Sequence, residues 1–543
     1  MEIHRIQTLP HSLPTARRVV ALGAFDGVHL GHRAVITTAA SLLEPARVGK
    51  TPMRLSVFCL CGLNKAPCLC NEETQYEQLS LTGAHELLET EFEAVRTLSP
   101  EAFVCDFLRD TLHAEAVVCG FNFRFGHQAS GDAAILRRLC AEQGITVRVV
   151  EPVTDETGEA ISSTRIRALL AAGDMPTASR LLGYPFTLHF PVVHGQHLGN
   201  KLGFPTINQP LPADFIAPRL GVYASAVIVD GHVTYGVTNI GTHPTVGQGT
   251  LTAETWIPDF NGDLYGKHVP VTPIQFLREE CVFPSLEALS AQVKADAVAA
   301  KKAVMGNTSQ TTAPAHYGET PIRAVFFDFD DTLQNRFAAF LGYAKALMEW
   351  HFPHLSKEEK ERRAQWMLTE NNGGQQLNGT PLDYPAFFEQ VAGRWSEPLP
   401  TGEQLLKEYP FLFSQYTTLF ADALATLRTL REKGLLLGVI TNGAAVMQLQ
   451  KLDHSGIRPL LDVTVVSGVH GIRKPQKELF LRAAAYAGVA PEQCLFVGDH
   501  PICDLKGSAE AGMHPIYLDA FEKYASAETV RITSPQALLS LLN

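Results

Sequence analysis

The segment AVFFDFDDTL, residues 324–333, runs four apolar residues straight into three carboxylates, Asp328, Asp330 and Asp331. Like charges at this spacing repel, so a fold gathers them where a cation sits among them. On an extended chain Asp328 and Asp330 project from one side, about 7 Å apart. Strand C-termini are also where open α/β sheets place ligands. One carboxylate can attack phosphorus and form an acyl phosphate while the other protonates the leaving oxygen. Those tasks need different protonation states, and interacting carboxylates titrate as a pair. A divalent cation reconciles them by stabilising the ionised nucleophile. Three further pieces follow in workable order. VITNG ends a strand with Thr441, whose hydroxyl can bond a phosphate oxygen; GIRKPQ carries Lys474, which can neutralise phosphate and nucleophile; LFVGDHPICD carries Asp499 and Asp504, both able to hold Mg²⁺. An acidic turn would account for DxDxT alone but not for four elements in sequence.

A second constellation lies in GQHLGNKLGFPTIN, residues 195–208, a Gly-rich loop with Gly199, Lys201 and Gly203 that ends in Thr206 and Asn208. On an extended segment Thr206 and Asn208 face the same way. Oxygen ligands of this kind suit Mg²⁺ carrying a nucleotide, which keeps several waters; the plainer reading is a turn with polar caps. Farther on, AETWIPDFNGDLYG holds Glu254, a lone carboxylate in a strand-like segment, able to take a proton from a hydroxyl during phosphoryl transfer.

The third is VVALGAFDGVHLGHRAVI, residues 19–36, a strand, a Gly-rich turn and a helix start. Gly23, Gly27 and Gly31 let backbone approach a ligand closely. His29 and His32 flank the turn, Arg33 follows, and imidazoles beside a helix N-terminus can donate to phosphate oxygens. ISSTRIRALLAAGD, residues 161–174, adds hydroxyls at Ser162, Ser163 and Thr164, which can simply cap a helix, and Arg165 and Arg167, whose planar forks match phosphate.

These residues need elements to hold them. Up to residue 182, apolar runs such as RRVVALGAF, MRLSVFCL, AEAVVCGF and ITVRVVEPV alternate with helical patterns, which predicts a parallel sheet with crossover helices. Residues 183–305 carry short strands punctuated by Gly and Pro, predicting an antiparallel barrel, and then a helix ending near Met305. Residues 306–320 read as a linker. From 321 to 543 a second α/β unit is expected, with strands IRAVFFDF, LLLGVIT, VTVVS and CLFVGD and a helical insertion at about residues 337–430. The fold class is therefore α/β multidomain: a Rossmann-like unit, an antiparallel β-barrel, and a second Rossmann-like unit with a helical cap.

Composition narrows the partners. A chain of 543 residues is too long for one core. A net charge of -11 without a basic run argues against nucleic acid and anionic membrane. No apolar run approaches the roughly 18 residues that span a bilayer, and MEIHRIQTLPHSLP has no apolar signal region, so a cytoplasmic protein with reduced thiols is expected. Cys59, Cys61, Cys68 and Cys70 form a CxC-x6-CxC pattern that could bind zinc, although structural zinc sites more often use CxxC pairs; a plain surface loop is the other reading.

Together GAFDGVHLGH, GFNFRFG and ISSTRIR resemble the FMN adenylyltransferase module of bacterial bifunctional riboflavin kinase/FAD synthetases, over about residues 15–180. The resemblance implies transfer of AMP from ATP to FMN, giving FAD. His29 and His32 would steady the phosphates, and Ser163, Thr164 and Arg167 would hold the triphosphate. Gly23, Phe25, Asp26, Gly31 and Asn122 would contribute to the nucleotide and flavin site. Asn122 stands where the family more often has Asp, and VFCLCGLNKAPCLC lacks the family's usual Pro-His-Pro. GFPTIN, NIGTHPT and ETWIPDFNGDLYG resemble the riboflavin kinase module, over about residues 183–303. Here the resemblance implies Thr206 and Asn208 on Mg²⁺-ATP, the Gly199–Lys201–Gly203 loop on nucleotide, Glu254 activating the ribityl hydroxyl, and Arg278 near the flavin. His243 replaces an Arg common in relatives.

The four acidic and basic elements after residue 321 resemble the haloacid dehalogenase-like (HAD) phosphatases. By that resemblance Asp328 is the nucleophile, Asp330 the acid/base, Thr441 and Lys474 bind phosphate, and Asp328, Asp330 and Asp499 surround Mg²⁺. The expectation is a three-activity enzyme acting on riboflavin, FMN, ATP and a phosphate monoester. For the phosphatase, 5-amino-6-(5-phospho-ribitylamino)uracil is favoured because its dephosphorylation precedes riboflavin; FMN and a general phosphate panel remain open. A non-catalytic flavin sensor would predict loss of Glu254, Asp328 or Lys474, and all three are present.

Overall fold

The computed structural model describes residues 1–45, 47–62, 67–195, 203–242, 251–306, 313–374, 382–397, 399–522 and 529–543. The first unit is a six-stranded, all-parallel sheet in the order β1-β4-β3-β2-β5-β6. Its strands are β1 (Glu2–Ile6), β2 (Arg17–Gly23), β3 (Met53–Cys61), β4 (Glu86–Glu91), β5 (Ala114–Gly120) and β6 (Thr146–Val150). Strand β2 lies in the middle, and its run RRVVALG is buried from Arg18 to Leu22, as a strand covered on both faces requires. Helix α1 (Leu30–Ala40) follows it, and α2 (Ser163–Ala172) and α3 (Met175–Leu182) close the unit. Ser162 caps α2 through a 3.3 Å bond from the Arg165 amide, the plain capping role.

The barrel strands are β7 (Leu188–Pro191), β8 (Thr206–Pro210), β9 (Gly221–Val229), β10 (His232–Thr242), β11 (Leu251–Trp256) and β12 (His268–Arg278). They pair antiparallel in the order β7-β12-β9-β10-β11-β8, and a Val193–Asn208 bridge draws the two edges together. Leu170 and Leu182 share one core with Tyr223 and Val227, so the barrel is welded to the first unit through α2 and α3. Helix α4 (Leu286–Met305), capped by Ser285, lays Ala300 and Val304 against Val222 and Ala224.

Part of the expected linker forms regular structure. Ala315–Tyr317 (β13) and Thr320–Ile322 (β14) form a hairpin. Ala315 is buried, and His316 exchanges backbone bonds of 3.2 and 3.1 Å with Asn543, the last residue. Short polar sequence hid this pairing, because its partner lies at the far end of the chain.

The last sheet is again parallel, ordered β17-β16-β15-β18-β19-β20. Its strands are β15 (Ala324–Phe327), β16 (Leu436–Thr441), β17 (Val463–Val466), β18 (Cys494–Gly498), β19 (His514–Leu518) and β20 (Arg531–Ile532). After β15 come α5 (Arg336–His351), α6 (Lys357–Asn371), α7 (Tyr384–Ala392) and α8 (Gly402–Ser414), which enclose their own aromatic core of Phe340, Tyr343, Phe388 and Tyr409. The insertion ends earlier than expected. Helix α9 (Ala423–Glu432) packs Ala423, Leu427 and Leu430 on the sheet residues Val325 and Val439. Helical periodicity identifies an apolar stripe, not the core that stripe joins. Helices α10 (Ala445–Ser455) and α11 (Lys477–Ala487) complete the unit.

The last unit docks on the first. Phe411 of α8 is buried among Leu55, Leu79 and Ala84. Gln450 of α10 donates to the Thr82 carbonyl. Arg33 of α1 reaches Asp453 of α10 through bonds of 3.0 and 2.8 Å, and Arg458 joins Asp453 at 2.6 Å. Arg33 therefore leaves the HxGH turn for a partner 420 positions away. Among the described residues no helix is long and apolar enough to cross a membrane.

Candidate active sites

At the C-terminal end of β2 the chain turns through Phe25 (φ 52°) and Gly27 (φ 75°) into α1. His29 caps α1, its Nδ1 accepting from the His32 amide at 3.3 Å, and the two rings stack with centroids 3.7 Å apart. Gly31 makes this possible, because a Cβ there would press to 3.1 Å on both His29 and the Ile161 carbonyl. A cavity of about 930 Å³ opens beside the turn. Gly23, Phe25, Gly31, both imidazoles, Asn122, Ser163 and Thr164 are among the residues that line it.

Burial pushes His29 down to about 4 and His32 well below its ordinary range, with His29 adding to the effect. Both imidazoles are thus neutral near pH 7. Because His29 Nδ1 accepts, its Nε2 carries the proton and can donate. His32 Nδ1 is buried without a partner. Asp26 and Arg167, both expected at the nucleotide site, lie side by side. They pair with each other; Asp26 also accepts from the Leu69 amide at 2.8 Å and Arg167 donates to the Pro67 carbonyl at 2.8 Å. Burial raises the Asp26 pKa despite these partners. Neither residue lines the cavity.

In the barrel, strand register builds the second site. Glu254 on β11 stands directly opposite Asn208 on β8 and Asn239 on β10. Directly opposed residues share a face, so one carboxylate and two amides converge there. Thr206 lies two residues along β8 from the nearly buried Asn208, whose amide is 3.4 Å from the Thr206 carbonyl. Gly195 backs this amide; a Cβ would come within 2.6 Å of it. Gly203 sits at φ 82°, while Gly199, Lys201 and His243 fall outside the described residues. Arg278 is committed elsewhere: its guanidinium forks on Asp296 of α4, the shortest bond being 2.7 Å.

The third site forms where β15, β16 and β18 end. Asp328 follows β15 directly, with its amide bonded to the Val497 carbonyl at 2.9 Å. Lys474 Nζ donates to Asp328 at 2.6 Å and to Asp504 at 2.5 Å, and all three are buried. One oxygen each from Asp328, Asp499 and Asp504 lie within 4.8 Å of one another. Asn442 fixes the lysine loop, accepting from the Lys474 amide at 2.9 Å and donating to its carbonyl at 3.1 Å. Burial pushes Asp328 up to about 7, Lys474 opposing and Asp504 reinforcing. Despite burial, Asp328 and Asp504 hold Lys474 well above its ordinary range.

Family models match three successive segments: FAD synthetase over residues 13–165, riboflavin kinase over 182–304, and haloacid dehalogenase-like hydrolase over 322–512. A bifunctional riboflavin kinase/FMN adenylyltransferase from Listeria monocytogenes is 35% identical over 287 residues, covering 51% of this chain and 90% of that protein. Its counterpart from Pseudomonas fluorescens is 37% identical over 306 residues (54% and 95%), and that from Escherichia coli K12 is 35% identical over 292 residues (52% and 92%). The chain belongs to the bifunctional riboflavin kinase/FMN adenylyltransferase family. A HAD-like hydrolase module accompanies the two flavin modules.

In the hydrolase module the carboxylate of Asp330, expected on the metal, stands apart from the close trio of Asp328, Asp499 and Asp504. It is gripped instead by Lys451 at 2.6 Å on both oxygens, by Gln448 at 2.9 Å and by Gln334 at 2.9 Å. Burial would raise its pKa, yet Lys451 and Arg336 hold it at about 2, so in this arrangement it is ionised and has no proton to give. Gln448 also bonds the Thr441 hydroxyl at 2.9 Å. Gln448 and Lys451 escaped the sequence reading. Their signal was two polar residues three apart on a helix face otherwise lined by Val446, Leu449 and Leu452. The all-oxygen trio of Asp328, Asp499 and Asp504 fits Mg²⁺; bound there, the ion would offset the repulsion among these carboxylates and screen an incoming anion. No close group of metal-ligating side chains among the described residues includes a cysteine, and Cys59 instead donates to the Ala24 carbonyl at 3.2 Å.

Proposed function

We propose that the kinase module phosphorylates riboflavin to FMN with Mg²⁺-ATP, that the adenylyltransferase module converts FMN to FAD, and that the hydrolase module removes phosphate from 5-amino-6-(5-phospho-ribitylamino)uracil. Glu254 takes the proton of the ribityl hydroxyl, while Asn208 and Thr206 face the Mg²⁺-nucleotide. In the adenylyl cavity, His29 and His32 donate from neutral rings to phosphate oxygens on which charge grows.

One observation carries the phosphatase reading: Lys474 bridges two buried carboxylates, Asp328 and Asp504, at the end of the central strand. In the first half-reaction an Asp328 oxygen bonds to phosphorus, the bond from phosphorus to the ester oxygen breaks, and that oxygen takes a proton from Asp330. In the second, Asp330 takes a proton from water, the hydroxide attacks the acyl phosphate, and Asp328 and inorganic phosphate are released. Asp330 must leave Lys451 for part of this cycle, because it is ionised while gripped. The substrate follows from the company the module keeps. Dephosphorylating the ribitylaminouracil feeds the route to riboflavin, whereas hydrolysing FMN undoes the kinase in the same chain.

The test uses the full chain without ATP, so that the kinase is idle. Phosphate release is measured from the ribitylaminouracil phosphate, FMN and a panel of sugar phosphates, with Asp328→Asn as the blank. The ribitylaminouracil phosphate is expected to have the highest kcat/KM. Equal rates across the sugar phosphates would sink the substrate, and a faster rate on FMN would replace it.

A further inference from the structure

We infer that Glu73, His189 and His268 form a binding site for a zinc-class divalent cation at the seam between the adenylyltransferase and kinase modules. The two imidazoles come from the barrel and the carboxylate from the first unit. Pairing of β7 with β12 sets His189 opposite Pro270, so His268 is its diagonal neighbour on the same face. Burial alternates along both strands: Leu188, Phe190, Val269 and Val271 point inward, leaving His189 and His268 on the outer face. Their rings meet edge to face with centroids 5.3 Å apart.

The carboxylate is delivered by a separate device. Glu73 lies in the first turn of the helix Glu72–Ser80, which Asn71 caps by accepting from the Thr74 amide at 2.8 Å. The same Asn71 amide group donates across the seam to the His189 carbonyl at 3.3 Å. One residue thus starts the helix and pins it to β7, which sets Glu73 over the histidine pair. Glu73 Oε2 is 3.7 Å from His268 Nδ1, and one ligand atom from each of the three lies within 4.8 Å of the others. A tetrahedral ion with bonds of about 2.0–2.1 Å spaces its ligands about 3.4 Å apart, so modest side-chain rotations close the site.

The donor set decides the class of ion. Two imidazoles and one carboxylate suit Zn²⁺, Co²⁺ or Ni²⁺, while Mg²⁺ prefers an all-oxygen shell. Three protein ligands leave a fourth position to water. The site lies outside the adenylyl cavity, and its histidines and carboxylate have no part in either flavin reaction as read here. Its role is that of a clasp holding two modules in register.

The full chain, with Mg²⁺ in excess to keep the aspartate trio supplied, is titrated with Co²⁺ as a spectroscopic probe and with Zn²⁺ against a chromophoric chelator. Wild-type protein should bind one more equivalent than His189→Ala/His268→Ala and show the strong visible bands of four-coordinate Co²⁺. Glu73→Gln should weaken binding by about 10-fold or more. Zn²⁺ should raise the melting temperature of the wild type by a few degrees and leave the double variant unmoved. The outer-face positions of the half-buried His189 and exposed His268 predict that both proteins melt alike without metal. Equal stoichiometry in wild type and double variant would overturn the site. So would bands bearing thiolate charge transfer that survive the substitutions, which would put the ion on cysteines.

Discussion

The first and last units are built on the same plan, a parallel sheet whose reactive loops follow central strands, yet their sites are electrostatic opposites. After β2 the chain delivers two stacked imidazoles that burial keeps neutral, facing a cavity of about 930 Å³. After β15 it delivers carboxylates so crowded that Lys474 and Lys451 must neutralise them. A site made of neutral donors awaits an anion that brings its own cation. A site made of buried carboxylates awaits a cation before the anion can enter. Topology fixes where a ligand sits, and the loop residues decide what it must carry.

The largest effects break the comparison from either side. Asp328→Asn should lower phosphate release by on the order of 10⁴-fold or more, with ATP-dependent FMN and FAD formation near wild type. His32→Ala should lower FAD formation by about 10²–10³-fold and spare phosphate release. If either variant silences both reactions in coupled assays, the two sites do not work as separate chemistries. A smaller effect sharpens the comparison where the units touch. Asp453→Asn leaves Arg33 and Arg458 buried without their counter-ion. Loss of one partner of such a group costs about 3–5 kcal/mol, read as earlier denaturant unfolding of the docked pair; an unchanged midpoint would show that the triad contributes nothing net.

The smallest effect is a pH dependence. Burial holds His29 and His85 at about 4 in the fold, below the value near 6.5 of the unfolded chain. The unfolded state therefore binds more protons, and stability falls progressively as pH drops from about 6.5 to about 4. His85 also accepts from the Leu55 amide at 2.8 Å and lies 5.2 Å from the Phe411 ring, so its protonation loosens the docking face. Melting temperatures that stay flat across this window would count against neutral burial of these rings.

Sequence made the strand ends legible because they are local: an apolar run, a turn, then the reactive residue. Asp328, Thr441 and Asp499 fall at or just beyond the ends of β15, β16 and β18, Asp504 follows on the short helix Pro501–Lys506, and Lys474 lies on the loop before α11. Glu254 and Asn208 were legible as types, but their opposition needed the barrel's register, which no single segment encodes. Long-range commitments stayed hidden. Asp330 gave no hint of Lys451, nor Arg33 of Asp453, since each pair joins residues more than a hundred positions apart. A guanidinium matches phosphate or carboxylate equally well, so the sequence could not foretell that Arg167 and Arg278 also pair with Asp26 and Asp296.

Helix α10 belongs to two machines. Gln448 and Lys451 hold Asp330, the proposed acid/base, while Gln450 and Asp453 of the same helix grasp the Thr82 carbonyl and Arg33 of the adenylyltransferase. Cutting the gene before the last sheet would therefore not liberate a tidy enzyme. It would expose Phe411 and strand Asp453 and Arg33 in water, so excised halves are poor proxies for the parent chain.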